Sequence, residues 1–400
     1  MRRSVTAAAL VVVVGIVVIA GANVRGWRAL VVARLFRVDN HPIVSTPPFG
    51  FRASVPPGFR AEVVATGFKT PRWLAFAPNG DLFVAESGAG RLLRLRFTAN
   101  ASRVGSTDVF ADGLTQPFGI GFLDGFVYVA NTNELVRYPY DPATSARLGP
   151  AEHLLDLPGF GYGQHWTRSL AVDRRRQLLF VSVGSKSNVS VESDVRRGAI
   201  LAVSTDGRDS RVYANGLRNA VGIALNPTDG RLWATVNERD DLADDVPHDF
   251  FTHITDGGFY GWPYSYLGAH RDNRVPERPD LVAKTIAPDV LLGAHVAPLQ
   301  FAFYQGAQFP VRYREGAFIA EHGSWNRKIR SGYDVVFIPF NNGNPSGPPE
   351  PFLSGLVPDR NQKTVYGRPV GVAVAPDGSL FISDDGGDVI WRVSFSKSIA

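Results

Sequence analysis

A short phrase of apolar and polar positions recurs along the chain: an apolar residue, a small one, another apolar one, a turn, then an apolar strand ending in acids or amides. It reads Leu74-Ala75-Phe76, Pro78-Asn79-Gly80 and Leu82-Phe83-Val84-Ala85-Glu86 near one end. Near the other it reads Val372-Ala373-Val374, Pro376-Asp377-Gly378 and Leu380-Phe381-Ile382-Ser383-Asp384. Four more copies lie between, at Ile120-Gly121-Phe122, Leu170-Ala171-Val172, Ile223-Ala224-Leu225 and Phe301-Ala302-Phe303. The steps from copy to copy are 46, 50, 53, 78 and 71 residues. Hairpin units at that spacing predict an all-β, six-bladed β-propeller, because each small antiparallel sheet buries its faces only against its neighbours in a ring.

Gly58 to Val64 reads as a strand with no hairpin partner, while the last unit, ending near Ile390 to Phe395, lacks an outer strand. An N-terminal strand that completes the C-terminal blade closes the ring and removes two exposed edges. The propeller is therefore expected over residues 58–396, after a Pro-rich tether at 39–57. The two longest steps hold insertions: Asp240 to Pro288, with Tyr260-Gly261-Trp262-Pro263, and Pro345 to Tyr366. Long loops in a compact domain are commonly functional.

Composition agrees with a turn-rich β protein: 400 residues, 44% hydrophobic, with 41 Gly and 28 Pro. The net charge of +5 resides in the first 40 residues, which carry six Arg and one Asp, so the rest is near neutral and a nucleic-acid partner is not expected. Zero cysteines exclude disulfides and thiolate metal sites. Residues 1–38 read as a leader: Arg2-Arg3, an apolar run from Val5 to Ala22, and Ala20-Gly21-Ala22 in the form of a signal-peptidase site. The run is long enough to stay as a membrane-anchoring helix, which suggests a periplasmic, extracellular or membrane-anchored protein. Arg25, Arg28, Arg34 and Arg37 after the run argue the other way, since retained positive flanks face the cytoplasm.

In each unit the inner strand leaves one face of the ring and the second strand returns to it, so the residues before the first and after the second share one mouth. That mouth collects His165-Trp166, Arg218-Asn219 and Arg368 from before inner strands. After returning strands it collects Gly184-Ser185, Asn237 to Asp241, and His322-Gly323-Ser324-Trp325-Asn326-Arg327. Arg218, Arg327 and Arg368 around one opening would repel one another unless an anion lay among them, and guanidinium forks suit planar carboxylates. Each member also has a plainer reading. His165 can be a structural histidine bonding a loop carbonyl, Arg218-Asn219 can tie blades together, and Asp240, Asp241, Asp244 and Asp245 can be a solvated acidic loop. No EF-hand order, HExxH, GxSxG, Walker loop or strand-linked GxGxxG is present.

At His165, Gly216-Leu217-Arg218-Asn219, Tyr260 to Pro263, His322 to Arg327 and Gly367-Arg368-Pro369 the chain resembles the glucose/sorbosone dehydrogenases, and most of all their sorbosone branch. These are exported six-bladed propellers that use pyrroloquinoline quinone (PQQ) and calcium. The resemblance implies oxidation of an aldose or hydrated aldehyde, with electrons passed to a separate acceptor. It implies that His165 takes the substrate's hydroxyl proton while hydride passes to the quinone, with Arg218 beside the quinone oxygens. Asn219, Trp325, Asn326, Arg327 and Arg368 would hold the cofactor, and backbone oxygens near Arg239, Asp240 and Asp241 would hold calcium. Two departures stand out. Gly184-Ser185 replaces an acid that orients the histidine in glucose-oxidising members, and the His322 to Arg327 segment replaces a cofactor-binding lysine.

Two other functions stay open. A calcium-dependent lactonase would use Glu86, Asn131, Asn237 and Asp384, one per blade near the channel. A non-catalytic propeller would bind a peptide or glycan on its polar face, since fold alone does not decide activity.

Overall fold

The computed structural model describes residues 38–98, 103–159 and 165–396; all but the last residue of the leader expected at 1–38 lies outside them. Six four-stranded antiparallel blades follow one another around a ring. Their inner strands are Pro71–Phe76, Gly119–Leu123, Leu170–Asp173, Ala220–Leu225, Pro298–Phe303 and Pro369–Val374. Numbered in that order, blade six takes its outer strand, Phe59–Thr66, from the N-terminal side, paired antiparallel to Val389–Phe395 from Phe59 opposite Phe395 to Thr66 opposite Val389. The ring thus closes by the strand exchange that the sequence predicts. Blade five carries an extra short strand, Asn344–Pro345, beside Asp334–Asn341. Among the described residues no helix is long and apolar enough to cross a membrane.

Apolar faces meet between blades. Phe83 packs edge-on against Phe110 and Phe122 between blades one and two, and Trp233 packs against Phe251 and Phe340 between blades four and five. Phe59 of the closing strand meets Phe309, Tyr313, Phe352 and Phe395, so aromatic packing locks the closure. Each buried aromatic ring adds about 2–3 kcal/mol through the area it removes from water.

Two local devices shape the mouth. In blades one, four, five and six the inner strand gains one residue against its partner: Pro71 faces Glu86 but Leu74 faces Val84, and the same slip recurs at Ala220/Ile223, Pro298/Phe301 and Pro369/Val372. A bulge redirects the side chains within it, and here those include Arg72 and Gln300. Gln300 accepts from the Leu74 and Val372 amides and donates to the Leu74 carbonyl, joining blades five, one and six at the axis. The second device is the insertion. Residues 255–289, between strands His248–Ile254 and Val290–Ala294 of blade four, form a small hairpin (Ser265–Tyr266 with His270–Arg271) and the single helical turn Pro279–Val282.

The Pro-rich segment before the propeller lies against it. Ile43–Val44 pairs in parallel with Thr364–Val365, Ser54 bridges Ser354, and the Asn40 amide donates to the Trp325 carbonyl. Proline fixes the extended backbone that such edge pairing needs.

Candidate active site

The mouth holds a cavity of about 410 Å³ to which all blades except the second contribute, a polar enclosure over an apolar body. Of the residues that the sequence brings to this face, His165, Arg218, Asn219, Asp240, Trp325, Asn326 and Arg368 line it. Arg327 does not. Its guanidinium pairs instead with Asp245.

His165 is buried, with Nδ1 3.1 Å from the Ser185 carbonyl and 2.9 Å from Ser185 Oγ. Ser185 Oγ gives its own proton to the Ser187 carbonyl, so it faces the ring as an acceptor. Both acceptors fix the proton on Nδ1 and make Nε2 the basic nitrogen. The missing acid is thereby replaced in its orienting role by a carbonyl and a hydroxyl. Burial first, and the charge of Arg218 second, hold the imidazole well below its ordinary range, so the ring is neutral at neutral pH. Gly184 allows the fit: a Cβ there would stand 2.5 Å from Asn219 Oδ1 and 2.7 Å from His165 Cβ.

Arg218 is held in a cage rather than left among like charges. It donates to Asp240 Oδ2 (2.8 Å), the Glu238 carbonyl (2.6 Å) and the Asn188 carbonyl (3.1 Å). Asp240 Oδ1 accepts from Asn326 Nδ2 at 2.7 Å. The expected mutual repulsion of the arginines is thus relieved by an internal acid, and Asn326 braces that acid. Asn219 Oδ1 is buried without a hydrogen-bond partner beside this cage.

The insertion clamps the same loop from outside. Arg239 is fully buried and bonds Glu238, Asp272 and the carbonyls of Pro263 and Ser265. Arg274 bonds Asp272 and donates to the carbonyls of Asp240 (2.9 Å) and Asp241 (3.4 Å). Two carbonyls of the segment expected to hold a cation, those of Asp240 and Asp241, therefore accept from a guanidinium. Among the described residues no three acids or histidines gather as a metal cluster.

Across blades five, six and one lies a second charged group that the sequence reading did not assemble. His322 Nε2 is 2.7 Å from Asp385 Oδ1, and the other Asp385 oxygen pairs with Arg72, whose guanidinium lies 5.3 Å from the Trp166 ring centroid. Arg368 donates to the carbonyls of His322 and Gly323, both at 3.2 Å. His322, Arg72 and Arg368 all line the cavity. So does His41 from the N-terminal segment, stacked on Trp325 with centroids 5.1 Å apart. The sequence brings His322, Arg368 and the Asp384-Asp385 pair to this mouth but does not disclose Arg72, which the bulge aims inward.

Buried acids lie between blades four and five. Asp249 lines the cavity and accepts the amides of Glu238 and Ala297; burial raises it to about 7 against the opposing charge of His295. Burial and the neighbouring Asp334 push Glu321 well above the usual carboxylate range. Of the four residues of the lactonase reading, Asn237 alone lines the cavity. Glu86 pairs with Arg91, and Asp384 accepts the Arg368 amide and the Trp391 indole.

The TrAA12-like family model matches residues 53–249 and 279–395. The chain belongs to the TrAA12-like family. Much of the insertion, including Trp262, Asp272 and Arg274, falls between the two matched stretches. An uncharacterised protein of Borreliella burgdorferi is 28% identical over 354 residues, which cover 86% of this chain and 91% of that one. A pyrroloquinoline quinone-dependent sugar dehydrogenase of Hypocrea jecorina is 26% identical over 390 residues, covering 82% and 86%. A Trichoderma reesei structure of carbohydrate-active enzymes family AA12 superposes with a TM-score of 0.76 at 24% identity, over 89% of this chain and all of that one, so the TrAA12-like fold is shared.

Proposed function

We propose that the protein is a PQQ-dependent sugar dehydrogenase that oxidises a CH–OH group of an aldose or hydrated aldehyde, sorbosone-like in class, with His165 as general base. One observation carries the reading: an oriented, neutral imidazole and guanidinium groups from separate blades meet in one cavity, in a chain related to such dehydrogenases.

The residues fit a flat tricarboxylate. The half-buried Arg368 guanidinium has only carbonyl partners, Arg72 Nε is buried without a partner, and the Asn219 carbonyl oxygen is buried without a donor. Arg72, Arg218 and Arg368 would hold its carboxylates and carbonyl oxygens, with Trp325 at the rim. When bound, PQQ supplies an electrophilic quinone that accepts hydride. The protein's part is to bind, orient and move a proton. His165 Nε2 takes the hydroxyl proton as the substrate's C–H bond breaks, and the substrate leaves with a new C=O bond. The Ser185 carbonyl steadies the charged ring that results. Arg218, caged by Asp240 and Asn188, stays fixed and lends positive potential where negative charge develops. Electrons then leave to a separate acceptor.

The test is to add PQQ to the purified protein, record its visible absorbance after desalting, and follow reduction of an artificial dye across a panel of sugars. Retained absorbance with sugar-dependent dye reduction supports the reading. Absence of both overturns it.

A further inference from the structure

Four histidines line the cavity, His41, His165, His295 and His322; His322 has no part in the chemistry above, yet its ring is fixed by a carboxylate from the next blade. Its Nε2 proton is claimed by Asp385 Oδ1 at 2.7 Å, which leaves Nδ1 as the basic nitrogen of a ring that lines the cavity. Asp385 is itself fixed by Arg72 from blade one, so the ring cannot turn without giving up its hydrogen bond to an anchored carboxylate. Arg368 reaches over the same residue, donating to its carbonyl and to that of Gly323. The charged groups facing His322 are therefore Asp385 and Arg368 from blade six and Arg72 from blade one. The neighbouring Asp384 is engaged by the Arg368 amide and Trp391. With a neutral imidazole, two guanidinium groups and one carboxylate leave this corner a single positive charge, less than a tricarboxylate calls for.

We propose that His322 is an anion-binding residue of the cofactor site, taking up a proton as a ligand carboxylate docks between it and Arg368, so that loading consumes about one proton. The inference rests on the dehydrogenase reading. Desolvation first, then Arg368, hold the ring at about 4, so the proton is not already in place at neutral pH. An incoming carboxylate pairs with Arg368, reverses the sign of the field at the ring and accepts from the new Nδ1–H. A group whose proton affinity rises on binding makes the complex tighter as pH falls. Between the free and bound values the dissociation constant should rise about tenfold per pH unit.

Calorimetric titration of the full chain with PQQ at pH 7, in phosphate and in Tris, counts the protons taken up through the different ionisation heats of the buffers. The wild type should take up about one and His322→Gln none, with His165→Gln behaving as wild type. Ring ¹⁵N shifts of the wild type before and after loading read the same proton without any substitution, and should show one histidine becoming doubly protonated. Tight binding with no proton uptake, or equal uptake by wild type and His322→Gln, overturns the inference and leaves the dehydrogenase reading standing. Failure of PQQ to bind at all overturns both.

Discussion

Two of the four histidines that line the cavity, His165 and His322, are anchored in contrasting ways. His165 rests on the Ser185 carbonyl and hydroxyl, and its nearest strong charge is the cation Arg218. His322 rests on a carboxylate, Asp385, itself paired with Arg72. A carbonyl fixes a tautomer and steadies the charged ring less than a carboxylate does, so the ring it holds can take a proton and give it up again. A carboxylate favours the charged ring once the opposing cations are satisfied. The first arrangement suits a base that turns over, the second a residue that binds an anion.

Exchanging the functions of the two rings is the sharpest way to break that contrast. His165→Gln should lower kcat/KM by about 10²- to 10⁴-fold, while PQQ affinity from absorbance titration stays within about threefold. His322→Gln should mostly weaken PQQ binding. Equal loss of turnover at saturating PQQ in both variants would abolish the distinction.

Next in size come the acids behind the two sides. Asp385→Ala strands Arg72 in the interior and should cost about 3–5 kcal/mol in urea denaturation. Asp240→Ala leaves Arg218 its carbonyl partners Glu238 and Asn188 and should cost about 1–2 kcal/mol. If the Asp240 variant proves the weaker protein, the second cluster is not the more tightly built.

How much of this the sequence discloses follows from which contacts are local. A hairpin is made by neighbours in the chain, so the triplets, the Pro-Asn/Asp-Gly turns and the unpaired strand at Phe59 reveal the six blades and their closure. Topology likewise delivers His165, Arg218 and Arg368 to one mouth. Pairings between blades are not local: Arg72 meets Asp385 across 313 residues, and the bulge that aims it inward is a property of the ladder. For the same reason Asp240 reads as part of a solvated acidic loop in the chain but pairs with Arg218 in the fold, and Arg327 looks aligned with Asn326 although it pairs with Asp245.

Asp249 adds a test that depends on pH. The folded protein keeps its proton up to about 7, while the unfolded chain loses it near the ordinary aspartate value of 3.8. Between those values the unfolded state binds fewer protons, so this group's contribution to stability falls as pH rises from about 4 to about 7 and then levels. Denaturation at a series of pH values should show wild type losing ground against Asp249→Asn across that window. A constant difference would mean that the carboxyl is already ionised at pH 4.

The smallest effect concerns the insertion, which stiffens only the His165 side of the cavity. Arg274 joins Asp272 to the carbonyls of Asp240 and Asp241, so the loop that carries Arg218's counter-ion is held from a segment outside the family match. Arg274→Ala leaves Asp272 paired with Arg239, so the insertion itself stays in place. The change should cost about 1 kcal/mol and show in hydrogen exchange as faster opening of residues 237–241, with residues 322–326 unchanged. Because Arg218 would then sit in a looser cage, KM for the sugar should rise more than kcat falls. Were exchange to quicken equally on both sides of the cavity, the mouth would be a single cooperative unit, and the division drawn between its histidines would lose its structural basis.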